Sequence, residues 1–132
     1  MGLNANFMAN DIGVSAFQLG LMEAIRETCG ITALIVLALL AGLPEPLVGA
    51  AMLAVFSIGL GGYAIAPSYG WILIASVVWS QGLHVWMPLP NSMAIGLAEP
   101  GRTGHRLGQV HAAGSAGFGG GLVIAYALTK AG

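Results

Sequence analysis

Glu23, Arg26 and Glu27 are spaced three and four residues apart, so a helix carries all three on one face. They sit inside a stretch that otherwise reads as a membrane-spanning helix. A charge at mid-bilayer costs roughly 2.5–3.5 kcal/mol on insertion scales, so such groups are seldom retained without a role. A buried opposite-charge pair of this kind can couple proton movement or contact a charged solute. The alternative is that the helix end lies among lipid headgroups and the side chains reach back to water. A second constellation lies further along. Ser76, Ser80 and His84 recur every four residues, with Gln81 beside them. Histidine is the side-chain type that changes charge near neutrality, so His84 and Gln81 are candidates for a proton or solute path. The two serines read as hydrogen-bonding glue between helices.

Other chemistry is poorly provided for. Gln109, His111 and Ser115 precede the glycines 114, 117, 119, 120 and 121. That run follows no expected strand and has no lysine–serine or lysine–threonine step, so it is no phosphate loop. Gly114, Gly117 and Gly121 instead suit close packing of one helix on another. His84, His105 and His111 lack metal-ligand spacing. No nucleophile–base pair is legible, and the expectation is a protein that is not an enzyme and holds no cofactor or metal. Cys29 excludes an intrachain disulfide and reads as a small packing residue.

The elements that position these residues follow from composition. Of 132 residues, 57% are hydrophobic and 7% charged, far from the quarter charged of a soluble domain. The net charge of -1 and the lack of a basic run exclude a nucleic-acid binder. Residues 1–15 hold neither the basic start nor the continuous apolar core of a secretory signal. About 20 apolar residues cross a bilayer as helix. Four stretches meet that length, at about 16–43, 47–66, 71–89 and 107–128, and form a single transmembrane region. The expected fold class is all-α integral membrane. Pro44, Glu45 and Pro46 are expected to end the first span, 67–70 to form a turn, and residues 91–97 to extend the third helix or make a short surface segment. Trp71 and Trp86 read as interfacial anchors, whereas Trp79 falls mid-span. The second span is apolar all round and suits a lipid-facing position. The first, third and fourth carry polar groups and should face one another or an aqueous cavity. Arg102 and Arg106, in the connection at 98–106, favour a cytoplasmic location for that loop, opposed only by Lys130.

Residues 11–20 (DIGVSAFQLG) resemble the outer loop entering the second helix of the major facilitator superfamily of secondary transporters. Residues 99–121 (EPGRTGHRLGQVHAAGSAGFGGG) are similar to that family's fourth-to-fifth-helix connection and glycine-rich fifth helix. Residues 41–49 (AGLPEPLVG) stand where the family carries a loop motif with an aspartate and arginines, and hold none of these. The resemblance implies that the four spans match helices two to five of an N-terminal half. It implies a fragment of a secondary active transporter of the plasma or bacterial inner membrane, completed by the remaining helices of the parent and acting on a small-molecule solute. Glu23, Arg26, Glu27, Gln81 and His84 would lie nearest the transport path. Two rival readings follow from the same residues. One is a complete four-helix oligomeric exporter similar to the small multidrug resistance family, with Glu23 as its embedded glutamate. The other is a non-transporting membrane subunit that docks a partner through glycine and serine surfaces.

Overall fold

The computed structural model describes Met8, Asn10 and residues 13–131, and they are helical with no strand among them. Helix α1 spans Ala16–Leu39. Ser15 caps its start, its hydroxyl accepting from the Gln18 amide at 3.2 Å while the Gln18 side chain accepts from the Ser15 amide at 2.9 Å. This reciprocal pair satisfies two amides that a helix start leaves without partners. The helix stops earlier than the expected residue 43, and a turn follows in which Gly42 adopts a φ of +97°. That conformation suits glycine, which has no Cβ to clash. Pro44 and Pro46 do not end the first helix. They open the second, α2 at Glu45–Gly61, where a missing amide hydrogen is harmless.

A 3-10 turn at Gly62–Ile65 ends α2. Helix α3, Tyr69–Trp86, begins at Ser68, whose hydroxyl accepts from the Trp71 amide. The helix ends in a turn at Met87 and Pro88, proline being unable to donate to the preceding helical turn. The stretch expected as an extension or surface segment forms a short helix, α4, at Leu89–Gly96. A turn with Gly101 at φ +80° leads to α5, Thr103–Ala131, longer at both ends than expected.

The chain divides into two compact units, residues 1–89 and 90–132. In the first, α3 is central: α2 packs antiparallel to it and α1 parallel to it on another side. Glycines set the α2/α3 spacing. A Cβ built at Gly59 would lie 2.4 Å from the Trp79 backbone nitrogen, and one at Gly82 2.6 Å from the Phe56 nitrogen. A Cβ at Gly49 would likewise lie 2.8 Å from the Trp86 ring. Such small residues let helix backbones approach where lipid supplies no hydrophobic drive. A core of Met8, Val14, Met22, Tyr63, Ile72 and Ala75 closes one end of the unit. The second unit holds α4 and α5, and α5 is exposed along nearly its whole length.

Among the described residues, three segments are long and apolar enough to cross a membrane: Glu45–Ile65, Tyr69–Gly96 and Thr103–Lys130. Helix α1, expected as a fourth span, is not among them. Every stretch of its 24 residues long enough to cross carries Glu23, Arg26 and Glu27 together.

A polar seam between helices α1 and α3

Helix α1 turns Met22, Cys29 and Ala33 into the first unit, and the polar groups that share this face meet α3. The Arg26 guanidinium reaches the Glu23 carboxylate at 2.5 Å and the Glu27 carboxylate at 4.0 Å. It also lies 4.8 Å from the centre of the Trp79 ring. A guanidinium over an indole face is stabilised by about 0.5–2 kcal/mol, more as water is excluded. Burial differs sharply within the trio. The Arg26 side chain is 18% exposed, Glu23 44% and Glu27 69%. Arg26 is thus the buried partner, Glu23 its counter-charge, and Glu27 an outward group.

Trp79 connects this charge to the interior. Its indole nitrogen donates to the Tyr63 hydroxyl at 2.6 Å, and that hydroxyl pairs with the fully buried Ser76 hydroxyl. Phe56 meets the Trp79 ring edge-on at 5.9 Å, which holds the indole from the α2 side. Ser80, also fully buried, donates to the Arg26 carbonyl at 3.3 Å. The two serines therefore bind helix to neighbour, as their spacing predicts.

Further along the seam, His84 Nδ1 lies 2.8 Å from the Ser80 carbonyl and 3.1 Å from its hydroxyl. Its ring rests against Gly30 of α1. The Thr32 hydroxyl donates to Gln81 Oε1 at 2.6 Å, while Gln81 Nε2 is buried without a hydrogen-bond partner among the described residues. Exchanging the amide's oxygen and nitrogen moves the vacancy but does not remove it, because Thr32 alone faces the group. A buried polar atom without a partner costs about 1–3 kcal/mol, which makes this amide the least satisfied polar group among the described residues.

No family model, curated protein or solved structure matches this chain. The functional reading therefore rests on the seam itself. Along it lie the Glu23–Arg26 pair over Trp79 and, further on, His84 beside Ser80 and Gly30 and Gln81 on Thr32, whereas Glu27 stands on the outer edge. Tyr63, Thr32 and Trp79 belong to it as well. Trp79 is marked in the sequence only by its mid-span position, which assigns it no role. Tyr63 sits in the 3-10 turn that ends α2, a bend no periodicity announces. Gly114, Gly117 and Gly121, expected to pack against a helix, meet nothing within 4 Å of an added Cβ among the described residues. Gln109, His111 and Ser115 are exposed on the same helix. Residues 11 and 12 of the family-like stretch lie outside the described residues, and no group of three potential metal ligands occurs within them.

Proposed function

We infer that this chain is part of a membrane-embedded secondary transporter of the major facilitator type, moving a small solute past the seam between α1 and α3. The observation that carries the reading is Arg26, mostly buried, paired with Glu23 and laid over Trp79 in a helical chain of which only 7% is charged. Structural pairing alone explains Arg26 and Glu23, but it leaves the Gln81 donor unused. A solute-contacting site explains both. Membrane residence is supported by the three long apolar segments and by the outward apolar side chains of α1, such as Ile31, Leu34 and Leu39, each at least 69% exposed. Patches of this extent in water would drive association. The sequence likeness at residues 11–20 and 99–121 supports the family reading. The exposed glycine face of α5 supports the presence of further helices, because lipid does not require glycine at such a surface.

The small-exporter reading is less favoured by one observation. An embedded glutamate that exchanges a proton for a cation must be free to do so, and Glu23 is already engaged by Arg26. The test is uptake of labelled amino acids, sugars and organic ions by cells carrying substitutions at the native gene. Gln81→Met or Glu23→Gln should lower uptake of the responsive solute at least tenfold. Unchanged uptake with both would reject the site.

A further inference from the structure

The second unit contains a feature that solute transport does not use. An open groove of about 510 Å³ separates α4 from α5, its apolar sides formed by Met93, Leu97, Val110 and Ala113. It shares Arg106 and Gln109 with a smaller polar cavity of about 140 Å³, which is also lined by Glu99, Arg102 and His105. The two are thus adjoining parts of one amphipathic groove. Arg102 reaches Glu99 at 3.3 Å, and Arg106 donates to the Gln109 side chain at 3.2 Å. Two arginines against one carboxylate leave the polar end with a net charge of +1, histidine taken as neutral. Glu99 neutralises Arg102, so Arg106 is the cation that remains for a ligand.

We propose that this groove binds an anionic phospholipid, with the phosphate held by Arg106 and an acyl chain along the apolar wall. Three observations select a lipid over a free phosphate. The basic end opens directly into an apolar wall of useful ligand size. The arginines stand at the start of α5, where a polar first turn gives way to Val110 and then to Phe118, Leu122 and Val123. Basic pockets at the membrane edge of a spanning helix are suited to anionic headgroups. The net +1 charge matches a phosphodiester, which carries a single negative charge. The inference takes membrane residence from the proposed function, but not transport.

The experiment uses the full chain in nonionic detergent, with phosphatidylcholine and phosphatidylglycerol added together and retained lipid counted by native mass spectrometry. Wild type should retain phosphatidylglycerol selectively. Arg106→Gln should reduce that selectivity about fivefold, the value of one basic residue near an anionic surface. Glu99→Gln should raise it, by releasing Arg102. Ala113→Phe, which fills the apolar groove from an exposed position, should weaken phosphatidylglycerol retention. All these side chains are exposed, and circular dichroism checks that each variant keeps its helices. Equal retention of the two lipids by wild type, or an Arg106→Gln variant that behaves as wild type, overturns the proposal. Displacement of phosphatidylglycerol by inorganic phosphate alone would assign the site to a free anion and overturn it too. A chain that does not insert into bilayers refutes the proposed function; one that inserts without lipid preference refutes this inference alone.

Discussion

Gly59 is the tightest point of the first unit, and Gly59→Ala tests whether α2 and α3 meet as described. The added Cβ would lie 2.4 Å from the Trp79 nitrogen and 2.8 Å from its Cα and Cβ. Comfortable carbon contacts are about 3.5–4.0 Å, so the helices must part by ~1 Å. The obstacle is backbone, which cannot swing aside as a side-chain tip can. Overpacking of this kind costs about 1–3 kcal/mol, and an immovable neighbour places the site near the upper end. The gain in helix propensity from glycine to alanine, about 0.8–1 kcal/mol, offsets part of it. A net loss of about 1–2 kcal/mol remains. Because the clash falls on Trp79, parting the helices also draws the indole from Arg26 and Tyr63. Unfolding of the detergent-solubilised protein by a denaturing detergent, followed by circular dichroism, reads the loss. Gly20→Ala in α1, where nothing lies within 4 Å, is the control and should be neutral or stabilising. A Gly59→Ala protein as stable as the control would refute the close α2/α3 approach.

Three other outcomes follow from the seam. In a double-mutant cycle read by the same unfolding assay, Glu23→Gln with Arg26→Gln should give a coupling of about 1 kcal/mol. The cycle of Glu27→Gln with Arg26→Gln should give almost none, since that pair is 4.0 Å apart and Glu27 is exposed. Tyr63→Phe deprives the Trp79 indole of its acceptor and the buried Ser76 of its partner, and should cost about 1–3 kcal/mol of unfolding free energy. Gln81→Met removes a buried donor that has no acceptor and also the acceptor of Thr32, whose hydroxyl keeps the Cys29 carbonyl at 3.2 Å, so stability should fall by no more than about 1.5 kcal/mol. A large loss of stability there would mean that the amide serves the fold.

The helices were legible because their punctuation is local. Ser15 with Gln18, Ser68, Pro44 and Pro46, and Pro88 mark starts and stops in the sequence itself. Pro46 was misplaced as a terminator because proline breaks a helix interior yet suits its first turn. The serine stripe at 76 and 80 was legible from its four-residue spacing. The contacts of Gly59 and Gly82 were not, because nothing local says which glycine meets another backbone. Their partners, Trp79 and Phe56, are many residues distant. The dense glycine run of α5 drew attention for the same local reason, although the described residues leave it uncovered. The Thr32 and Gln81 contact is likewise set by the parallel register of α1 on α3, which depends on packing over the whole unit.

The seam of Glu23, Arg26 and Gln81 is proposed to contact a transported solute. Solute uptake by cells carrying Gln81→Met at the native gene, normalised to the protein present in membranes, tests this most directly. The substitution leaves the fold and the charge pair intact, so uptake should fall at least tenfold while membrane abundance is unchanged, the equivalent of about 1.4 kcal/mol. Uptake equal to wild type, with the variant folded and in the membrane, would contradict it.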